Sequence, residues 1–181
     1  MRIIGGTLRS RRFSPPAKNW HTRPTTDVAR EALYNILEHK LDWEKTSMLD
    51  LFAGTGSHSY EALSRGCAQV TCVEKYPVAT RYIAQTAREL DIAEKLTIHC
   101  ADVFRYLRQQ NTQYDYIFAD PPFALPNIQA LPTEIFSNNL LVNNGLLAIE
   151  HGVNTQFETH PNFSETRRYG SVNFTFFIRN I

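Results

Sequence analysis

Met48-Leu49-Asp50-Leu51-Phe52-Ala53-Gly54-Thr55-Gly56 is the stretch on which the reading of this chain turns. Residues 48–53 have the length and apolarity of a buried strand, the two glycines open a tight turn, and residues 57–65 follow as a helix that Gly66 ends. The same alternation continues downstream, with strands expected over 69–74, 95–100, 114–119 and 145–150. Helices from Pro77 to about Leu90, over 103–110 and around 128–137 separate them. Two further strands, 163–169 and 172–178, joined by Gly170-Ser171, read as a hairpin. Repeated β-α units have right-handed crossovers, which place helices on both faces of a mostly parallel sheet, and the hairpin adds an antiparallel strand. The expected fold is α/β and Rossmann-like, with seven strands.

Upstream of this unit, Thr25, Thr26 or Asp27 can cap a helix whose apolar stripe is Val28, Ala32, Leu33, Ile36 and Leu37 and which ends near Lys40. Residues 1–22 carry Gly5-Gly6, Pro15-Pro16 and alternating basic and apolar residues, the makings of a short hairpin lying on the domain. Residues 23–181 are then one compact domain, for which 181 residues at 43% hydrophobic content suffice. The net charge of +1 conceals an asymmetry, because residues 1–30 hold seven cations against Asp27 alone, a local +6 that leaves the remainder at −5. A basic arm on a mildly acidic body, with Arg9, Arg11, Arg12 and Arg23 as its candidate contacts, suits a polyanion docking on one side.

Open α/β sheets bind ligands outside the carboxyl ends of their strands, and three acids fall there. Gly54 and Gly56 let the backbone of Phe52 to Gly56 approach a ligand, the following helix offers N–H groups to a carboxylate, and Asp50 can hold an ammonium group. Glu74 ends the second strand, where a carboxylate accepts ribose hydroxyls; Asp102 follows the third, where it can accept from an adenine amine with Val103 or Phe104 beside the ring. These are the requirements of S-adenosylmethionine. A nicotinamide dinucleotide would share some of them, but G-x-G lacks the third glycine of that fingerprint.

The fourth strand ends in Asp120-Pro121-Pro122-Phe123. An exocyclic base amine is a poor nucleophile because its lone pair is delocalised, and an acceptor facing each N–H bond favours the pyramidal form. Asp120 can take one N–H, the Pro121 carbonyl the other, while Phe123 stacks on a flipped base and Pro122 stiffens the turn. The turn has no use in hydride transfer.

Cys67, Cys72 and Cys100 are odd in number and lack ligand spacing, so they read as buried thiols in a reducing compartment, and the six scattered histidines give no metal site. The start of the chain lacks a signal-peptide core and no run of about 18 apolar residues occurs, so the expected location is cytoplasmic and the expected state a monomer.

Arg2-Ile3-Ile4-Gly5-Gly6, Arg23-Pro24-Thr25-Thr26-Asp27, Arg30-Glu31-Ala32-Leu33, Asn35-Ile36-Leu37, the Asp50 to Gly56 motif, Glu61-Ala62-Leu63-Ser64-Arg65-Gly66 and Asp120-Pro121-Pro122-Phe123 together resemble the bacterial small-subunit ribosomal RNA guanine-N2 methyltransferases of the RsmD type, of the class I S-adenosylmethionine-dependent superfamily. The resemblance spans nearly the whole chain. It implies methyl transfer to a guanine N2 amine, ribosomal RNA or an assembling small subunit as partner, and a course for residues 23–27 close to the methionine end of the cofactor, with Arg23 on a phosphate or carboxylate. DNA adenine-N6 and protein glutamine-N5 methyltransferases keep an analogous turn, more often beginning with Asn, and a non-enzymatic RNA-binding protein would keep only the arm. One departure is Ser57-His58-Ser59-Tyr60, where the family carries small and apolar residues; His58 is expected on an exposed first turn.

Overall fold

The computed structural model describes residues 1–15, 26–122 and 124–180. In chain order the elements are α1 (Asp27–Leu37), β1 (Ser47–Leu51), α2 (Ser57–Ser64), β2 (Gln69–Glu74), α3 (Pro77–Glu89), β3 (Leu96–Cys100), α4 (Val103–Gln109), β4 (Tyr114–Ala119), α5 (Ala130–Ser137), β5 (Leu141–Gly152), β6 (Phe163–Tyr169) and β7 (Val172–Ile178). The strands form one seven-stranded sheet in the order β3-β2-β1-β4-β5-β7-β6. β1 to β5 run parallel, and β7 pairs antiparallel with both β5 and β6. The order reverses between β1 and β4, which makes the crevice beyond their carboxyl ends the place for a ligand.

Side chains alternate across each strand and so divide the core in two. Met48, Val70, Cys72, Tyr116, Phe118 and Ala148 pack with α1, α2 and α3, whereas Leu49, Leu51, Val73, Ile117, Leu147 and Ile149 pack with α4 and α5. Residues 1–15 close over the first layer: Arg2 and Arg12 form an antiparallel bridge, and Ile3 and Phe13 are buried in the same core. Residues 1–15 thus lie on the domain as a hairpin and contribute Ile3 and Phe13 to its core.

That docking depends on one glycine and one acid. Gly6 has φ of +74°, and a Cβ there would lie 1.8 Å from the Ser64 carbonyl oxygen, which accepts from the Thr7 N–H at 2.7 Å. The fully buried Glu61 of α2 accepts from the N–H groups of Ile4 at 2.7 Å and Gly5 at 2.8 Å and from Arg65 Nε at 2.9 Å. Its other neighbour is Arg30, whose Nε lies 4.0 Å away with the side chain 1% exposed.

Three expectations are corrected. In α1 the cap is Thr26, but Val28 is 74% exposed while Arg30 and Tyr34 are buried. Arg30 donates to the Arg2 carbonyl and to Asp27, and Tyr34 to the His58 carbonyl, so the inward stripe includes two polar side chains that a hydropathy pattern turns outward. β5 starts at Leu141, not at Gly145, because the Asn143-Asn144-Gly145 segment is a bulge, with Asn144 at φ of +61°, pinned to Arg179 by two backbone bonds. Cys100 is exposed; only Cys67 and Cys72 are buried. Among the described residues no helix is long and apolar enough to cross a membrane.

Candidate active site

A cleft at the carboxyl edge of the sheet is lined by Phe52, Glu74 and Asp102, with Val103, Asp120 and Pro122, all of them candidates from the sequence. Lys75, Tyr76, Phe104 and Leu125 complete its wall. The strand register shows why they converge. Leu51 pairs with Val73 on one side and with Ala119 on the other, and Ala119 pairs with Ile149. The next residues therefore stand level across four strands: Glu74, Phe52, Asp120 and Glu150.

The glycine turn is held open by backbone conformation. Phe52, Gly54 and Gly56 have φ of 60°, 56° and 78°, the left-handed region that costs a bulky residue such as Phe on the order of 1 kcal/mol. A Cβ on Gly56 would lie 2.6 Å from the Tyr60 hydroxyl, so this position is closed to any side chain. Glu74 fixes the turn from the next strand: one carboxylate oxygen accepts from the Gly54 N–H and the other from the Tyr76 N–H, both at 2.9 Å. Asp102 caps α4 by accepting from the Arg105 N–H at 3.0 Å and remains exposed at the rim.

Asp50 lies deeper. It is 1% exposed, and one oxygen accepts from both the N–H and the hydroxyl of Ser59, at 3.1 and 2.6 Å, which ties β1 to the first turn of α2. Burial raises its carboxyl from 3.8 to about 7, against the opposing pull of the Ser59 bonds and with a further push from the Glu74 carboxylate. An unfolded aspartate ionises near 3.8, so ligand-free stability is lost as pH rises from there through about 7, by on the order of 4 kcal/mol once Asp50 is fully ionised. Asp50→Asn should therefore stabilise the ligand-free protein at pH 8 and leave it nearly unchanged at pH 4. Urea titrations at the two pH values check this, and an equal effect at both would contradict it.

His58 is a correction. It is 4% exposed, stacked on Phe118 at 3.8 Å and flanked by Tyr34, because α1 covers the first turn of α2. Burial, with the Arg30 charge in addition, holds its imidazole well below the ordinary value, so it packs as a neutral ring. Pro121 is buried beside Asp120, while Arg23 and Phe123 lie outside the described residues. Arg9, Arg11 and Arg12 are exposed on the N-terminal hairpin, and Arg11 Nη2 donates to the Glu89 carbonyl at the end of α3 at 3.2 Å. Glu150, 3% exposed within β5 and level with Asp120, was not singled out from sequence; its position directly after Leu146-Leu147-Ala148-Ile149 is the signal that would have found it.

The chain matches the family model described as conserved hypothetical protein 95 over residues 1–178. It is 33% identical over 150 residues to the ribosomal RNA small subunit methyltransferase D of Buchnera aphidicola subsp. Baizongia pistaciae, covering 83% of this chain and 75% of that protein. To the protein of the same name from Escherichia coli K12 it is 30% identical over 161 residues, covering 89% and 79%. The solved structure of yhhF from Escherichia coli superposes with a TM-score of 0.87 at 29% identity, over 99% of this chain and 98% of that one.

Proposed function

Because the chain belongs to the family described as conserved hypothetical protein 95, the RsmD family, we propose that it transfers a methyl group from S-adenosylmethionine to the exocyclic N2 amine of a guanine in small-subunit ribosomal RNA. The observation that carries this reading is the level row of Glu74, Asp120 and Glu150 around a left-handed glycine turn at the switch point of the sheet. S-adenosylmethionine supplies an electrophilic methyl group on a sulfonium, so the protein's task is placement rather than covalent catalysis.

The residues fit that cofactor. Glu74 is already oriented by two backbone N–H groups and accepts the ribose hydroxyls with its remaining lone pairs. Asp102 and Val103 flank the adenine, and Gly54 and Gly56 let the backbone reach the methionine end, where Asp50 faces the ammonium group. Asp120 accepts an N–H of the target amine, offsets the positive charge that grows on it, and takes the proton or passes it to solvent after transfer; the Pro121 carbonyl accepts the second N–H.

Guanine rather than adenine is taken from the family; the strand register adds a second acid, the buried Glu150, at the backbone position level with Asp120, about 4.8 Å away strand to strand. Guanine presents N2–H and N1–H as adjacent donors, whereas the N6 amine of adenine stands next to an acceptor nitrogen. Phe123 stacks on the base by its place in the sequence motif.

Calorimetric titration with S-adenosylmethionine tests the cofactor half of the reading. Glu74→Ala should weaken binding by about 1–3 kcal/mol through the unpaired ribose hydroxyls and the loosened Gly54 turn. Unchanged affinity would remove Glu74 from the site.

A further inference from the structure

Some cations of this molecule are neutralised where they stand. Arg2, Lys40, Lys45, Arg65, Arg108 and Arg167 are each ion-paired with a carboxylate. Other cations carry no ion pair among the described residues, and those of the N-terminal hairpin and α3 stand out among them by their alignment with the cleft. Arg9, Arg11, Arg12, Lys75, Arg81 and Arg88 are exposed and have no ion pair among the described residues. Arg81 and Arg88 are seven residues apart in α3, two turns along the same face, in line with exposed Val78 and Gln85. Arg11 joins that line at its far end by donating to the Glu89 carbonyl. At the near end, Lys75 and the exposed Tyr76 form part of the cleft wall, with Lys75 Nζ 4.8 Å from the centre of the Tyr76 ring. A 13-residue helix is about 20 Å long. The result is a cationic track leading from the hairpin to the lip of the site, interrupted by one carboxylate, Glu89, which accepts from Gln85 Nε2 at 2.8 Å.

We infer that this face of α3, with Arg11, Arg88, Arg81 and Lys75 in sequence along it, is the surface on which the RNA backbone runs toward the active site, an inference that rests on the proposed RNA substrate. The chemistry suits a single-stranded segment or loop. Guanidinium groups spaced along a straight element meet successive phosphates. An exposed aromatic ring at the end of the track, beside the cleft, offers a stacking surface where bases leave their own stack. An acidic protein partner would require no such alignment with the cleft, and the line holds too little apolar surface for a membrane.

The test compares two double variants of equal charge. Arg81→Glu with Arg88→Glu reverses the track; Arg105→Glu with Arg168→Glu reverses two exposed, unpaired cations on α4 and on β6. Binding of in vitro transcribed small-subunit RNA is measured against salt, with S-adenosylmethionine titrations as a folding and cofactor control. The track variant should lose about tenfold or more in RNA affinity at 0.15 M salt and have a log–log salt slope shallower by roughly 1.5–2, with cofactor affinity unchanged. The control variant should lose less than about threefold. Equal losses in both variants, or none in the track variant while the wild type still binds and methylates the RNA, would overturn the inference. A wild type that neither binds nor methylates RNA would instead overturn the proposed function.

Discussion

Asp120→Ala is expected to lower single-turnover methyl transfer about a thousandfold while changing S-adenosylmethionine affinity by less than about threefold. The reason is the timing of the interaction. Before transfer, the carboxylate accepts an ordinary hydrogen bond from a neutral amine; as the nitrogen attacks, it acquires positive charge, and the bond becomes charge-assisted. Only the part of an interaction that grows between ground and transition state accelerates the step, and this one grows most. Asp120 sits at the cleft rather than in the core, and its backbone N–H stays bonded to the Leu51 carbonyl at 3.3 Å, so the alanine variant should fold normally. Asp120→Asn keeps an acceptor but loses the charge and should fall between the two. Rapid-quench transfer from labelled cofactor to small-subunit RNA separates the chemical step from RNA binding. A variant transferring at the wild-type rate would remove Asp120 from the reaction.

The second large effect concerns stability. Glu61→Ala should cost about 3–5 kcal/mol, because it deletes a buried acceptor that serves two backbone N–H groups and Arg65 while leaving Arg30 as a buried charge with one carboxylate fewer. Removing one member of a buried ionic cluster is costlier than the net value of the cluster, since the remaining guanidinium cannot be rehydrated without opening the packing. For a chain of this size the loss corresponds to roughly 10 °C or more in Tm. Glu61→Gln retains an acceptor for Ile4 or Gly5 and should recover part of it. Because Glu61 pins the N-terminal hairpin, limited proteolysis of the alanine variant should cut first within residues 1–15. A Tm within 2 °C of the wild type would mean that the hairpin is held by Ile3 and Phe13 alone.

The course of the sheet was legible because each strand carries its own local signal: β-branched and aromatic residues, a glycine or proline at its end, and a helix period between. The ends of β2, β4, β6 and β7 fall where the sequence placed them. For the same reason Glu74, Asp102 and Asp120 are legible in the sequence, since a residue at or just past a strand end has a fixed place in this topology. What could not be read depends on partners distant in sequence. Arg30 and Glu61 are buried because they meet one another across 31 positions, and His58 is buried because Phe118 of β4 lies under it and α1 over it. A hydropathy pattern has no access to such pairings and turns each of these side chains outward. Glu150 could not be read for a different reason: only the strand register sets it level with Asp120.

Nucleoside analysis distinguishes transfer to the N2 amine of guanine from transfer to any other base nitrogen. Small-subunit RNA, free and in assembled particles, is incubated with the wild-type protein and S-adenosylmethionine carrying a heavy methyl group, digested to nucleosides and resolved by mass spectrometry. The expected product is heavy N2-methylguanosine, lost with Asp120→Ala; heavy label in N6-methyladenosine, or in no nucleoside of either RNA form, would contradict the account.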